Sequence, residues 1–166
     1  MASGLFVDPT TLLRVVPVIS STCSLWFGWD QYEFLLLFLK PDIQGHSNQL
    51  LPSYFKTFFD RGAPRVVFLL LTTLTSSAAN LRYAPQSLLR ERGATIWYWG
   101  SILFTLGHQI YFPFILPHIK AITSDAKEKN IHELRSWLYV HNWRTLTVDL
   151  AGWVCNLVAA TKMLSL

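Results

Sequence analysis

The chain has 166 residues, of which 51% are hydrophobic and 14% are charged, and its formal net charge is +4. Soluble domains carry roughly 25% charged residues, so this composition argues against an ordinary soluble domain, and its aromatic content excludes a disordered chain. The basic residues are spread over the loops without a basic block or a nucleic-acid motif. We therefore expect a membrane surface, not nucleic acid, to attract them.

The first apolar segment runs from about residue 11 to 39 and contains two acidic residues, Asp30 and Glu33. One possibility is a span that ends near Asp30, followed by a second apolar piece in the interface. We favour one long helix, because no Gly/Pro pair breaks the run between Gly28 and Pro41. The segment has no basic n-region and no cleavage site before it, so it is expected to serve as an uncleaved signal anchor.

A polar stretch follows, and its LPSYFKTFFDRG portion is amphipathic. We expect this stretch to be a loop whose amphipathic part lies on the membrane surface. Pro64 is expected to open the second span, at about residues 64–82, because proline suits the first turn of a helix.

The third segment is the clearest span. Thr95 to Leu116 contain no formally charged residue, and His108 is the one side chain among them whose ordinary pKa lies near neutrality. About 20 residues at ~1.5 Å rise cross a hydrocarbon core of ~30 Å. The third span is therefore placed at about residues 95–117, where Pro117 is expected to stop it.

The fourth segment is predicted to be one continuous helix from about Asn130 to Met163. It begins amphipathic and turns apolar after Arg144, which places its span at about residues 138–163. Together the segments predict a single all-α domain, an integral membrane four-helix bundle with both termini on the same side. We expect it in the endoplasmic reticulum, with the lipid bilayer as its main partner and with a homo-oligomer left open.

Two cysteines, Cys23 and Cys155, lie in apolar stretches without a CxxC motif. This pattern predicts two small buried thiols, not a disulfide framework or a redox pair.

Each predicted span carries one polar stripe when it is projected at ~100° per residue. The stripes are Thr22, Trp26, Asp30 and Glu33; Thr73, Ser76, Ser77 and Asn80; Ser101, Thr105, His108 and Tyr111; and Asn142, Asp149 and Asn156. Four inward-facing stripes predict a polar or water-accessible cavity between the helices. For the second stripe we favour the simpler interpretation, in which hydroxyl and amide groups hold the helices together.

His108 and Asp149 are the strongest candidates for chemistry. An aspartate at membrane depth costs several kcal/mol unless it is paired, and such residues usually mark a site. Arg144 lies five residues away, about 140° round an α-helix, so we expect it to reach another helix instead. Histidine titrates near neutrality and suits a base, although His108 could equally be a satisfied core residue. His141 is interpreted as interfacial.

Several motifs are missing from the sequence. HxxxH, paired ExxH and CxxC patterns are missing, so we expect no metal; GxGxxG and the P-loop are missing, so we expect no nucleotide cofactor. A G-x-S-x-G elbow is also missing, which argues against a serine hydrolase.

The chain resembles the fungal members of the DUF1772 family of small four-helix membrane proteins over about residues 10–163. The segments that carry the resemblance are LPSYFKTFFDRGAPRVVFLLL, LGHQIYFPFILPHI and ELRSWLYVHNWRTLTVDLAGWVCNLVA. The most specific part is W-x-x-x-H-x-x-R-T-x-x-x-D, here Trp137, His141, Arg144, Thr145 and Asp149. The family includes anthrone oxygenases of aromatic polyketide pathways.

This resemblance implies cofactor-free oxidation of an anthrone to an anthraquinone by O2. His108 or Asp149 would remove the ring-methylene proton, and Arg144 or Asn142 would stabilise the resulting anion. His141 completes the expected catalytic set. The expected substrate-binding residues are Trp26, Trp29, Asp30, Glu33, Tyr111, Trp137 and Trp153.

Two alternatives remain open. The same acid–base groups in an apolar pocket could catalyse cyclisation, isomerisation or epoxide opening on a polyketide or terpenoid. Alternatively, the chain could be a non-enzymatic tetraspan scaffold whose polar stripes only join helices. In both enzymatic readings the partner is a hydrophobic small molecule, and O2 is a second substrate only in the first.

Overall fold

The computed structural model describes residues 8–125 and 129–165, apart from the side chain of Gln44. Within these ranges the chain is helical and forms no strand. The α-helices are α1 (Pro9–Leu36), α2 (Gln44–Tyr83), α3 (Gln86–Glu91), α4 (Thr95–Gly107), α5 (Phe112–Thr123), α6 (Asn130–Arg144) and α7 (Leu150–Leu164). The prediction of an all-α fold is confirmed.

The first long helix begins at a side-chain cap. The Asp8 carboxylate accepts a hydrogen bond of 2.8 Å from the backbone N–H of Thr11, and this bond lowers the pKa of Asp8. Pro9 occupies the first turn, where its missing N–H costs nothing. The helix passes both acidic residues without a break, and a 3-10 turn at Leu37–Leu39 ends it. The preference for one long helix over two pieces is confirmed.

The second long helix differs from the prediction. The expected loop and surface segment are instead the first half of one 40-residue helix, α2. The amphipathic face of this half is buried against protein: Leu51 and Phe55 are fully enclosed, and the Phe55 ring meets the Trp137 ring edge to face at 5.5 Å. Burial of two large apolar side chains stabilises the helix by several kcal/mol, which offsets the hydrogen bonds lost at Pro52 and Pro64.

The third long segment also extends beyond its expected end. A 3-10 turn at His108–Tyr111 follows α4, and α5 then continues through Pro117 to Thr123. The proline removes one backbone donor, but the helix beyond it buries an apolar face in the core it shares with α6. The prediction that Pro117 stops this helix is therefore wrong.

The fourth segment runs without interruption from α6 into α7, as the sequence predicts. A π turn at Thr145–Asp149 connects the two helices. Three other stretches, Pro9–Leu39, Gly45–Tyr83 and Thr95–Thr123, are long and apolar enough to cross a membrane. This is consistent with an integral membrane protein.

The long segments pack side by side. Helix α1 contacts α2 and α7, α4 contacts the same two helices, and α5 packs on α6. An Arg14 Nη1 donates to the carbonyl of Met163 at 3.2 Å, so the two ends of the described chain lie at the same end of the helices.

The polar stripe of α2 joins these helices, as the simpler interpretation predicts. The Ser20 and Thr73 hydroxyls lie 2.8 Å apart between α1 and α2. Ser77 lies 3.1 Å from both the Ser101 hydroxyl of α4 and the Asn156 side-chain oxygen of α7. These hydroxyl and amide oxygens pair with one another between helices, so their role is structural.

The two cysteines have different environments. Cys155 is buried against α4, where its Sγ would lie 2.9 Å from a Cβ added to Gly100. Cys23 is exposed, so the prediction of two buried thiols is wrong for this residue. Cys23 lies on the outward face of α1, whereas the buried residues of this helix lie on its other face.

A partly buried hydrogen-bonded pair connects α5 and α6. His118 Nδ1 donates to the Glu133 carboxylate at 2.7 Å. This hydrogen bond is the main cause that lowers the pKa of Glu133.

Candidate active site

Four polar side chains from the third and fourth long segments form a continuous hydrogen-bonded chain. Asp149 stands at its centre: one carboxylate oxygen lies 2.7 Å from His108 Nδ1, and the other accepts from Arg144 Nε at 3.2 Å. Arg144 Nη2 reaches His141 Nδ1 at 3.0 Å, and His141 Nε2 reaches the carbonyl of Gly28 at 2.8 Å. The chain therefore joins the three elements that carry His108, Asp149 and Gly28.

The geometry fixes where the protons lie. A carbonyl oxygen only accepts, so His141 Nε2 carries a proton and its Nδ1 receives the Arg144 bond. The Asp149 carboxylate, beside a guanidinium, likewise accepts from His108 Nδ1–H. His108 in its neutral form thus presents the lone pair of Nε2, which has no partner among the described residues. This is the arrangement by which an aspartate orients a histidine base.

The π turn makes the Arg144–Asp149 pair possible. In a regular α-helix, residues five apart diverge, which is why the sequence predicted that Arg144 would reach another helix. A π turn closes its hydrogen bonds between residues i and i+5, so it places the two side chains on one face. That prediction is wrong, and the local backbone is the reason. Single π turns occur frequently at functional sites.

His141 is fully buried, so its interpretation as interfacial is also wrong. Its ring stacks on Trp137 with centroids 4.7 Å apart and an interplanar angle of 18°. Gly28 lies against Thr145 of the fourth segment, where a Cβ added to the glycine would make an ordinary van der Waals contact at 3.5 Å. The full burial of His141 and its stacking on Trp137 exclude water from the inner end of the hydrogen-bonded chain.

A cavity of about 130 Å³ lies beside His108 and Arg144. Its wall is mostly apolar and comes from α2, the third segment and Trp137. The wall residues are Phe58, Phe59, Gly62, Ala63, Val66, Val67, Leu70, Phe112, Ile115 and Trp137, with the polar residues Gln31, His108, Gln109 and Arg144. An apolar pocket with a few convergent polar groups is the usual form of a small-molecule site.

Sequence reasoning missed Gln31 and the α2 part of this wall. The sequence prediction did not include Gln31, because the acidic residues Asp30 and Glu33 favoured another face of α1 as the inward one. The α2 residues were missed because their stretch was read as a loop. The signal for Gln31 was the inward series Ser21, Gly28, Gln31 and Leu35, whose spacing follows one helix face.

Three of the expected substrate-binding residues lie on the outer surface of α1. Trp26 is 67% exposed, and Trp29 and Glu33 are also exposed. Asp30 is half-buried and shares an open surface groove with Trp26 and Arg65. The predicted stripe of α1 therefore faces outward, because the small residues of the opposite face pack against α2 and α7.

The other expected residues do not form the wall of this cavity. The Tyr111 hydroxyl lies 3.1 Å from the Thr147 hydroxyl, and Trp153 Nε1 donates to Thr22 at 2.8 Å. Asn142 is half-buried and belongs neither to the hydrogen-bonded chain nor to the cavity wall. Of the expected substrate-binding set, Trp137 alone lines this cavity.

The chain is similar over nearly its whole length to three curated proteins. The epoxidase pydX of Acremonium sp. is 30% identical over 162 residues, which cover 97% of this chain and 99% of the relative. The probable epoxidase scpX of Mollisia scopiformis is 31% identical over 158 residues, 92% of this chain and 96% of the relative. The epoxidase gkaX of Penicillium citrinum is 30% identical over 156 residues, 91% and 94% respectively. No family model and no solved structure matches the chain.

Proposed function

The chain belongs to the same family as these three epoxidases, and from that premise we propose that it is a membrane-embedded tailoring enzyme that transfers one oxygen atom from O2 to an apolar small molecule. The observation that carries the proposal is His108, which is oriented by Asp149 through Nδ1 and lines an apolar cavity. We place it as a four-helix bundle in the membrane of the endoplasmic reticulum; three helical stretches that are long and apolar enough to cross a bilayer support the membrane part of this proposal.

The first step is a proton transfer. His108 Nε2 takes a proton from an acidic O–H or C–H of the substrate, and Asp149 stabilises the imidazolium that forms. The Arg144 guanidinium lies on the cavity wall, where its charge lowers the energy of the substrate anion. The anion is electron-rich enough to reduce O2, and a C–O bond forms to give a hydroperoxide.

The second step breaks the O–O bond. One oxygen stays on the substrate and the other leaves as water, so the balance is RH2 + O2 → RO + H2O, and the substrate supplies all four electrons that reduce O2. When the two hydrogens come from the hydroxyls of a hydroquinone-like ring, the retained oxygen bridges a ring C–C bond as an epoxide. When they come from an anthrone methylene, it becomes the carbonyl of an anthraquinone. The epoxidase names of the relatives favour the first product.

The test uses membranes that contain the chain alone, supplied with ¹⁸O2 and with hydroquinone-type and anthrone-type substrates. Mass spectrometry should show a product that has gained one ¹⁸O and lost two hydrogens. The variant His108→Gln should abolish it, while the matched variant His46→Gln, on an exposed histidine, should not.

Three results would contradict the proposal. A product that forms equally well without O2 would instead support cyclisation or isomerisation by the same base. A product that gains oxygen but keeps both hydrogens would require an external reductant. Absence of any product, in membranes where the chain is folded, would favour the scaffold.

A further inference from the structure

Gln31 is an unpaired amide inside the protein. Its side chain is 7% exposed, lines the cavity and makes no hydrogen bond to the part of the chain that the structure describes. The amide atoms are open to the cavity and are not sealed within the packing, so a polar atom that enters the cavity can reach them. Such a group on the wall of an apolar cavity is what a ligand with a polar atom would satisfy.

The position of Gln31 connects it to the candidate base. It lies one turn after Gly28, whose carbonyl ends the hydrogen-bonded chain that includes His141 and Arg144. On its other side, the amide nitrogen lies against Gly62 of α2, where an added Cβ would be 3.5 Å away. The contact with α2 helps to hold the amide at the cavity wall.

The cavity limits the size of what binds there. Its volume is about 130 Å³. An apolar protein cavity of roughly 150 Å³ binds benzene, so this one has room for about one six-membered ring. A fused three-ring compound does not fit within it.

The rest of a larger molecule would leave between α2 and the third segment. Val67 and Phe112 line the cavity and are 52% and 46% exposed, so they form an apolar rim at the outer surface. Both lie in stretches apolar enough to cross a membrane, so in a bilayer this rim would face lipid. An apolar tail can remain in the lipid while the head group is inside.

We infer that the substrate is a lipophilic molecule with an oxygen-bearing head group about the size of one ring, and that the Gln31 amide anchors this oxygen beside His108. The inference rests on the proposed function for the role of His108, but the anchor itself is a binding property. It can be measured without turnover.

The probe is 4-pentylacetophenone with a ¹³C-labelled carbonyl, added to the purified full chain in lipid nanodiscs. A hydrogen bond from the amide lowers the carbonyl stretching frequency, so isotope-edited infrared spectra should show a shifted band for bound probe. Gln31→Leu should remove that band and weaken binding by roughly three- to tenfold, which corresponds to one net hydrogen bond. Gln49→Leu, the same change at an exposed position, should leave both unchanged.

Thermal unfolding separates an anchor from a structural residue. Gln31→Leu removes an unpaired polar group, so its melting temperature should equal or exceed that of the wild type. A lower melting temperature, a band that persists in Gln31→Leu, or no shifted band in the wild type would each overturn the anchor. A band of equal strength with 9-acetylanthracene would overturn the assignment of a ring-sized head group.

The outcome is independent of the oxygenation test. His108→Gln should keep the shifted band although it abolishes turnover. A Gln31-dependent band without ¹⁸O incorporation would leave the anchor standing and remove the oxygenase reading. Incorporation of ¹⁸O without a Gln31-dependent band would support the oxygenase and overturn the anchor.

Discussion

Asp149→Asn is the most direct test of the hydrogen-bonded chain. The carboxylate accepts from both His108 Nδ1–H and Arg144 Nε–H. An asparagine amide can accept one of these bonds, but its NH2 group must then face the other partner. With its oxygen toward Arg144, the amide donates to His108 Nδ1, which moves the imidazole proton to Nε2. The variant would then present a donor to the cavity where the wild type presents a base.

The expected loss is large because the wrong tautomer is inactive. In a serine protease, the same substitution in an Asp–His pair lowers turnover by about 10⁴-fold. We expect a loss of about 10³–10⁴-fold here, which corresponds to about 4–5.5 kcal/mol in activation free energy at 1.36 kcal/mol per factor of ten. Stability should also fall, because Arg144 is 6% exposed and loses its counter-charge. Removing one partner of a buried pair costs about 3–5 kcal/mol.

The assay is the rate of ¹⁸O incorporation per folded molecule, with folding checked by circular dichroism. The double variant Asp149→Asn, Arg144→Met removes the unpaired charge and should recover stability without recovering turnover. Asp42→Asn, an exposed carboxylate, should stay within about twofold of the wild type, as surface changes usually do. Turnover of Asp149→Asn within tenfold of the wild type would refute the assignment of His108 as an oriented base.

Three further outcomes follow from the packing and charge of the fold. Arg144→Ala should destabilise the chain by about 3–5 kcal/mol, and combining it with Asp149→Leu should cost less than the sum of the two, in a double-mutant cycle followed by thermal unfolding. Gly100→Ala should lower the free energy of unfolding by about 1–3 kcal/mol, because its Cβ would stand 2.9 Å from Cys155 Sγ. Adding Cys155→Ala to this variant should restore the lost stability. Equal melting temperatures for Gly100→Ala and the double variant would contradict this close contact. The lowered pKa of Glu133 means that its stabilising effect is complete above the ordinary glutamate pKa and is lost as pH falls through the lowered value. Glu133→Gln should therefore melt below the wild type at pH 7 and equal it in acid, and a constant difference across that range would count against the pair.

Local sequence patterns predicted the helices more accurately than their ends. The uninterrupted first helix and the continuous fourth segment agree with the structure. The errors at residues 44–63 and at Pro117 share one cause, since in both places burial of apolar side chains against another helix outweighs a local turn or proline signal. Such burial is invisible until the partner helix is known.

The residues of the candidate site were likewise predicted only in part. His108 and Asp149 could be selected from the sequence because a titratable group in an apolar run is costly, and that cost is a property of the residue and its neighbours along the chain. The prediction for the α1 residues was wrong because a polar stripe on a helix does not determine which side of the helix faces inward. Trp26 and Glu33 are exposed, whereas the buried positions of α1 are mostly small residues such as Ser20, Ser21 and Gly28.

The sequence by itself predicted that the chain is helical, that it has four apolar spans, and that a histidine and an aspartate stand where charge is expensive. Among the described residues the structure supports the first three spans as long and apolar enough to cross a bilayer, but not the fourth. The tertiary structure decided how the histidine and the aspartate are used. It brought His108 and Asp149 into direct contact, it paired Asp149 with Arg144, which an α-helical projection had directed elsewhere, and it placed Gln31 on the wall of a ring-sized cavity. The physical reason is that hydropathy and periodicity are properties of one segment, whereas a hydrogen-bonded chain and a cavity depend on the rotation and distance between segments, and a single π turn changes both.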